Sequence, residues 1–372
     1  MYTILYTGVM VFLWIINLFN GTGLGNAYRT TEYARLIVFA IIAFILLLRA
    51  ARTGQWRAAK RYFYILVPMV ILFVAMPLLK GHGMMGVKYL WVFIVTYLLS
   101  QTRPDRKTLL WVSAAYAALG LAILFIFNYM DILKGWNKNS IAMIGLFSFL
   151  VFIIPYHGAQ DWKSKIMLTL VGAAYVALIW PTGSRSCSIA IIIALLFVFH
   201  IIPAKKVFSS RKKIFWALQI PLIIAILGCI LTLSADVEAL NNWSLDKLGK
   251  TFFNGRDQIW LETFKKLGQN PLLGTGYINS GLYHNSTIAC LAAFGIVGYC
   301  LWIQLFNIIL KDALPFQEDT CIMGATTAFF VLFWQQSVEL GLFAPNPNLI
   351  PYIILGLLLG RTRYLKESES CL

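Results

Sequence analysis

The stretch from Tyr283 to Gly298, YHNSTIACLAAFGIVG, contains the pattern that decides the fold. It leaves a polar loop and continues as an apolar run, which predicts a membrane helix that begins at the water boundary. His284 and Asn285 belong at the polar end of this helix. Gly295 and Gly298 are expected on one of its faces, about three turns deeper. An imidazole at this boundary can meet substrates from the water and from the bilayer.

The rest of the chain is equally apolar. Hydrophobic residues make up 59% of its 372 residues, charged residues only 12%, and the mean hydropathy is +0.74, which excludes an ordinary soluble domain. Apolar runs of about 18 to 20 residues recur, each able to cross roughly 30 Å of hydrocarbon. We predict an all-α fold, a polytopic membrane helical bundle in which residues 1–372 form a single integral membrane domain. About twelve spans are expected, over residues 2–19, 35–50, 62–79, 85–100, 108–130, 141–157, 166–182, 187–202, 214–234, 285–310, 321–338 and 349–360.

Basic residues are unevenly distributed among the predicted connections. The even-numbered connections hold most of them, for example residues 49–61 and 203–213, and basic residues also follow the last span. The positive-inside rule places this side in the cytoplasm together with both termini. The net charge of +16 therefore reports topology, and no soluble basic face indicates a nucleic-acid partner. No cleavable signal peptide is expected, because the first apolar run lacks a basic segment before it.

The six cysteines lie mostly within or at the edges of predicted spans and form no CxxC pair. Cysteines in such positions usually behave as small apolar residues. The sequence therefore supports neither a disulfide framework nor a zinc site.

One connection, residues 235–284, is much longer than the others and is predicted to lie on the external face between spans nine and ten. Long loops often carry function. Residues 257–268, DQIWLETFKKLG, predict a short amphipathic helix with Asn254 or Asp257 as its N-cap. This helix either lies on the membrane surface or packs against the bundle, and both interpretations stay open. Its residues divide into an apolar face, Ile259, Trp260, Phe264 and Leu267, and two basic residues off that face, Lys265 and Lys266.

A few external polar residues are candidates for function. Arg185 lies in the tight turn PTGSRS, where it either binds a phosphate or only reaches the lipid headgroups. Arg256 opens the loop helix, where it either favours an anion or forms a salt bridge with Asp257 or Glu262. His82 is flanked by glycines and is a secondary candidate for a functional residue. Glu339 at the end of span eleven is either a functional acid or simply solvated.

These residues together resemble the bacterial O-antigen ligase and polymerase superfamily, whose members are integral membrane glycosyltransferases of the GT-C type. The resemblance rests on a His-Asn pair followed after nine residues by Gly-x-x-Gly, which His284, Asn285, Gly295 and Gly298 match. The segments Gly255-Arg256-Asp257 and 270–276, NPLLGTG, resemble the family's approach to this histidine. The turn from Thr182 to Ser186 resembles its arginine turn. The likeness is strongest over residues 181–300.

The resemblance implies glycan transfer on the outer face of the inner (cytoplasmic) membrane. The donor would be a glycan on undecaprenyl diphosphate, and the acceptor another glycan or the lipid A core. His284, Arg256 and Arg185 would be catalytic, with the arginines on the diphosphate and the histidine on the acceptor proton. Predicted substrate-binding residues are Asn285, Lys265, Lys266 and His82. No metal and no cofactor is expected, membrane lipids are partners, and a polysaccharide chain-length regulator is a further candidate partner.

Two questions about function stay open at the level of the sequence. A ligase and a polymerase share this scaffold, and the motif does not separate them. A lipid-linked glycan flippase or another polytopic transporter is the alternative from a different class. Such a protein would have inverted repeats, broken helices and charges at mid-membrane, whereas the sequence shows no repeat and no cluster of charges within a span. A non-enzymatic membrane scaffold is a further alternative.

We predict that residues 235–284 are external and that both termini are cytoplasmic. A cysteine introduced at Asn242 should react in intact cells with a membrane-impermeant thiol reagent, relative to the natural chain as background. Reaction only after the membrane is opened would reverse the predicted orientation.

Overall fold

The computed structural model describes residues 2–21, 60–82, 87–130, 136–234, 237–249, 251, 255–276, 284–339, 341–343 and 348–370. In these ranges the regular structure is helical and no strand is present, so the all-α prediction is confirmed. The α-helices are α1 Tyr2–Gly21, α2 Lys60–Leu79, α3 Val87–Ser100, α4 Arg106–Tyr129, α5 Lys138–Phe152, α6 Trp162–Ile179, α7 Arg185–Val198, α8 Ala204–Val207, α9 Arg211–Ser234, α10 Val237–Leu248, α11 Arg256–Leu267, α12 Ser286–Ala313, α13 Thr320–Gln335 and α14 Ile350–Ser370.

Four stretches of the described chain are helical, long and apolar enough to cross a membrane: Arg106–Tyr129, Trp162–Thr182, Arg211–Leu233 and Ser286–Phe316. Shorter apolar helices accompany them, among them Lys138–Phe152 and Thr320–Gln335. The span predicted over residues 35–50 lies outside the described residues. The long connection before α12 holds α10 in addition to α11, and α10 was not predicted.

Several of the helices have an asparagine or aspartate as N-cap. Each side chain accepts hydrogen bonds from backbone N–H groups of the first turn, which would otherwise lack a partner. These residues are readable in the sequence because each is a polar residue just before an apolar run. The capping residues are Asp105 of α4, Asn137 of α5, Asp161 of α6, Asn285 of α12 and Asp319 of α13.

Helix α13 lies at the centre of the bundle. All its residues from Cys321 to Phe333 are buried, and it packs against α5, α7, α9 and α14. Aromatic rings fill the space around it; Phe330, for example, stacks on Phe208 with ring centroids 4.3 Å apart and planes 7° apart. Because α13 is enclosed by other helices, its two ends meet polar groups from several neighbours.

The helix at the Gly-x-x-Gly motif is broken, which corrects the prediction of two glycines on one face of a continuous helix. Gly295 has φ 63° and ψ −166° inside α12, a backbone conformation that is essentially restricted to glycine. Its neighbours continue as two helical pieces on either side of the break. The first glycine of the motif therefore interrupts the helix instead of lining one face of it.

The segment 271–276, which follows α11, fills this break. Backbone groups that the interruption frees pair with backbone groups of the segment, as buried polar groups in a membrane protein require. Gly274 and Gly295 both lie so close to the opposing backbone that a Cβ atom on either would stand under 3.0 Å from it. The four bonds, from donor to acceptor, are Ile296 N to Pro271 O at 2.9 Å, Val297 N to Leu272 O at 3.2 Å, Thr275 N to Ala292 O at 2.9 Å and Gly276 N to Ala293 O at 2.7 Å.

Pro221 interrupts the hydrogen-bond ladder of α9. Since proline has no N–H, the carbonyl of Ala217 loses its helical partner. The indole Nε1 of Trp334 in α13 donates to this carbonyl at 2.9 Å. The carbonyl of Pro221 in turn accepts a bond of 3.1 Å from the side chain of Asn285. The carbonyl of Ala217, freed by the proline, thus joins α9 to α13, and the carbonyl of Pro221 joins α9 to α12.

The two ends of the bundle carry different polar groups. At one end lie the starts of α7 and α12 and the end of α13, which are joined by hydrogen bonds. At the opposite end, where α13 starts, Arg361 of α14 pairs with Asp319, with Nη2 and Oδ2 2.6 Å apart. Lys205 of α8 pairs there with Glu318. The basic segment 203–213 therefore lies at the end opposite to the start of α12.

We expect Gly295→Ala to destabilise the protein. The backbone conformation alone should cost on the order of 1–3 kcal/mol, and the new Cβ would stand 2.3 Å from the carbonyl carbon of Leu272. Thermal unfolding of the detergent-solubilised protein should show a lower midpoint than for the unsubstituted chain.

Gly8→Ala in α1 is the matched control. A Cβ at Gly8 meets no atom within 4 Å, so the midpoint should stay the same or rise slightly. Equal midpoints for the Gly295 and Gly8 variants would mean that the break does not need glycine.

Candidate active site

The backbone at His284 is turned away from the path of the helix that follows. Its φ of 39° lies in the left-handed region, which few residues other than glycine adopt. The next residue, Asn285, is extended and caps α12. The imidazole of His284 is 37% exposed, and its Nδ1 atom has no hydrogen-bond partner among the described residues. His284 therefore lies just outside the first turn of α12, and its ring is partly exposed there.

Asn285 is fully buried, and its amide group is completely used. The amide oxygen accepts from the backbone N–H groups of Thr287 at 2.9 Å and Ile288 at 3.1 Å. The amide nitrogen donates to the carbonyls of Pro221 at 3.1 Å and Ser337 at 3.0 Å. With both lone pairs and both hydrogens engaged, this geometry favours a positioning role for Asn285 over direct contact with substrate.

Glu339 lies between the guanidinium of Arg256 and the imidazole of His284. Its Oε1 atom accepts a hydrogen bond of 3.3 Å from Nη2 of Arg256, and its Oε2 atom lies 3.9 Å from Nδ1 of His284. The carboxylate side chain is 9% exposed and the Arg256 side chain 19%. A carboxylate at this depth needs a positive partner, so simple solvation of Glu339 was the wrong interpretation.

The acidic residue that pairs with Arg256 is not one of the two suggested by the sequence. Asp257 and Glu262 were considered from the sequence, whereas the ion pair in the structure is with Glu339. Asp257 instead accepts a hydrogen bond of 3.2 Å from the Thr232 hydroxyl of α9. The N-cap of α11 is Gly255, without a side-chain cap, so the predicted cap at Asp257 was wrong, and the alternative cap, Asn254, lies outside the described residues. The Arg256 side chain is 19% exposed, and its Nε atom is buried without a hydrogen-bond partner in the described part of the chain.

Helix α11 is held in place by its apolar face. Trp260 is buried against Ala225 and Cys229 of α9 and against Ile288 of α12, with Phe264 beside it. The helix therefore packs against the bundle through Trp260 and Phe264 of the predicted apolar face, and the polar residues Asp257 and Thr263 are buried with them. This packing fixes its first residue, Arg256, next to Glu339.

Arg185 begins α7 at the same end of the bundle and is exposed. The residue after it, Ser186, accepts a hydrogen bond of 3.3 Å from Nε2 of Gln335, the last residue of α13. The sulfur of the next residue, Cys187, lies 3.7 Å from the same Nε2 atom. The structure thus brings the turn that carries Arg185 to the same helix end as Arg256, His284 and Glu339.

The other predicted binding residues lie farther out. Lys265 and Lys266 are exposed in the last turn of α11, roughly 14 Å along the helix from Arg256. His82 is exposed just beyond α2. The end of α2 reaches the segment that fills the break in α12, since Gly276 packs against the carbonyl of Met76.

Gln335 and Gln336 join the starts of α7 and α12, and neither was predicted from the sequence to have a role. The position of Glu339 between Arg256 and His284 was not predicted either. One signal was present for the glutamines: Gln335-Gln336-Ser337 is a polar run at the end of an otherwise apolar helix.

The arrangement has the parts of a group-transfer site. An imidazole beside a carboxylate can take up a proton, because the carboxylate stabilises the charged ring. Two arginines at the same helix ends can bind phosphate oxygens.

A comparison with curated proteins agrees with this chemistry. The chain is similar to an O-antigen ligase of Pseudomonas aeruginosa, with 23% identity over 69% of this chain. The comparison confirms the resemblance to the O-antigen ligase superfamily. The match spans 64% of the length of that relative. No protein-family model matches the chain.

Proposed function

We propose that this protein is a membrane glycosyltransferase that moves a glycan from undecaprenyl diphosphate to a sugar hydroxyl of an acceptor. The observation that carries the proposal is the position of Glu339 between Arg256 and His284 at one end of the bundle. The similarity to an O-antigen ligase supports the same class of reaction. The donor, the acceptor and the membrane location that follow are part of the proposal.

In the proposed reaction His284 acts as the general base. Its Nδ1 atom faces Glu339 at 3.9 Å, so a small rotation of the ring brings the two into hydrogen-bonding distance. Nε2 then accepts the proton of the acceptor hydroxyl. The acceptor oxygen forms a bond to the anomeric carbon of the donor glycan, and the bond from that carbon to the diphosphate breaks. The electron pair of that bond leaves on the diphosphate.

Arg256 and Arg185 hold the diphosphate in this proposal and stabilise its growing negative charge. The Arg256 side chain is 19% exposed, so the exposed part of its guanidinium can donate to a phosphate oxygen while Nη2 stays on Glu339. These fixed cations supply the charge that a divalent metal supplies in other glycosyl transfers, so the proposed reaction is metal-independent. Lys265, Lys266 and His82 lie farther out and are proposed to contact the glycan.

The orientation follows from the two ends of the bundle. The basic segment 203–213 lies opposite to the candidate site, and the positive-inside rule assigns basic connections to the cytoplasm. We therefore propose a site on the outer face of the inner membrane. The acceptor is either a glycan, as in polymerisation, or the lipid A core, as in ligation. A polysaccharide chain-length regulator is a proposed partner for the polymerase case.

A flippase or another transporter is the alternative function. Transporters of this size often carry broken helices whose free backbone groups bind an ion or a substrate. The break in α12 is filled by residues 271–276, whose backbone groups pair with those of the helix. The interruption therefore supports a structural joint better than a transport site.

We expect His284→Asn to lower turnover by about 10²–10⁴-fold, the usual contribution of a general base. Asparagine tolerates the left-handed backbone found at this position, so the local fold should persist. The measurement is glycan transfer by the reconstituted protein with a lipid-linked donor, with donor binding recorded separately. Donor binding should change little.

His200→Asn is the matched control, because His200 also has a left-handed backbone, with φ 61°, and lies at the opposite end of the bundle. It should retain turnover. If His284→Asn turned over as fast as His200→Asn, the base assignment would be wrong.

We expect Arg185→Ala and Arg256→Ala to weaken donor binding severely. Lysine at either position should restore little, because it lacks the bidentate geometry of arginine. Arg211→Ala, an exposed arginine at the opposite end, should bind the donor normally.

Loss of Arg256 also leaves Glu339 without its ion-pair partner, which is a second way to disturb the site. The double variant Arg256→Ala with Glu339→Gln separates the two effects, because it removes the unpaired charge. It should still bind the donor poorly, whereas Glu339→Gln alone should bind it well. Normal donor binding by the double variant would refute the diphosphate contact.

A further inference from the structure

Gln336 joins the start of α12 to the segment that follows Glu339. It is 1% exposed, and its Oε1 atom accepts hydrogen bonds of 3.0 Å from the Ser286 hydroxyl and from the backbone N–H of Leu342. Its backbone carbonyl accepts a further bond of 3.1 Å from the N–H of Ser286. Ser286 lies two residues after His284, so Gln336 holds the segment that carries the imidazole.

Gln335 joins this junction to the start of α7. It is 6% exposed, and its Oε1 atom accepts a bond of 2.6 Å from Nε2 of Gln336. Its Nε2 atom donates to the Ser186 hydroxyl at 3.3 Å and lies 3.7 Å from the Cys187 sulfur. Ser186 adjoins Arg185, so one continuous chain of hydrogen bonds runs from the arginine turn to the start of α12.

The direction of this chain is fixed by a backbone group. The N–H of Leu342 can only donate, so the atom of Gln336 that faces it must be the amide oxygen. The amide nitrogen of Gln336 therefore faces Gln335, which turns the oxygen of Gln335 toward Gln336 and its nitrogen toward Ser186. Neither amide can flip without breaking several bonds in a buried region, where unpaired polar groups are costly.

We propose that Gln335 and Gln336 are positioning residues that set the separation between the Arg185 turn and the His284–Glu339 pair. Both are too buried to meet a substrate, and their side-chain bonds lead to the starts of α7 and α12 and to the segment after Glu339. The inference rests on the proposed function, because it assigns the two glutamines to the geometry of that transfer. A displacement of about 1 Å in such a site can cost about 10²-fold in rate.

The test uses the full chain, reconstituted with a lipid-linked glycan donor. Gln335→Leu and Gln336→Leu each cut the hydrogen-bond chain and should lower turnover by about 10²-fold. The double variant should be little worse than either single variant, because the chain is already cut. Losses that multiply in the double variant, or turnover near that of the unsubstituted protein in both single variants, would overturn the proposal.

Milder variants cover the case in which the leucine variants do not fold. Ser186→Ala and Ser286→Ala remove one hydroxyl at each end of the chain and leave both glutamines in place. Each should lower turnover, and their effects should again fail to multiply. Ser148→Ala is the matched control: it removes a buried hydroxyl that accepts a 2.8 Å bond from Trp14 in another part of the bundle, and turnover should not change.

A second readout does not depend on glycan transfer. Cys187 is fully buried and adjoins Gln335, so loosening of the first turn of α7 should raise its alkylation by a small maleimide severalfold, measured by mass spectrometry of its peptide. Gln336→Leu should raise this rate although Gln336 is one link away, and Ser148→Ala should not. An unchanged rate in Gln336→Leu refutes the positioning role. If the unsubstituted protein transfers no glycan while the alkylation result holds, the proposed function alone is wrong.

Discussion

The buried charge of Glu339 is the constraint on which the organisation of the site depends. A carboxylate with little exposure at the end of a central helix is stable only next to a positive group. Arg256 supplies that group from a helix that precedes it by more than eighty residues in sequence. Arg256 reaches Glu339 because α11 packs against α9 and α12, and the burial of Trp260 holds α11 in that position. The apolar packing of one surface helix thus determines the electrostatics of the candidate site.

A second constraint comes from the bilayer. Lipid offers no hydrogen bonds, so every interruption of a helix must be completed by other protein groups. The break at Gly295 is completed by residues 271–276, and the missing N–H of Pro221 is offset by the Trp334 indole. The first of these segments follows α11, which begins with Arg256. Trp334 lies at the end of α13, just before Glu339. The irregular backbone therefore helps to hold α9, α11, α12 and α13 in one arrangement.

The sequence predicts some of these features and not others. Apolar runs with asparagine or aspartate before them predict helices, and the structure has helices there. The periodic face of α11, with Trp260 and Phe264, also predicts the side that is buried. The break at Gly295 could not be predicted, because it depends on backbone bonds to a distant loop and not on local periodicity. The Arg256–Glu339 pair is likewise a long-range contact, which a single sequence does not reveal. The roles of His284, Arg256 and Arg185 were inferred from their positions in the sequence and from a family resemblance. They stay predictions.

Pro221 has a consequence for the order in which the protein is built. Helix α9 enters the membrane during synthesis before α12 and α13 exist. Until then the carbonyl of Ala217 has neither a helical donor nor the indole of Trp334. In hydrocarbon an unpaired carbonyl is unfavourable, so this group favours the packing of α13 against α9 once α13 is present. The proline thus adds a favourable contact between α9 and α13, which forms only when α13 packs next to the candidate site.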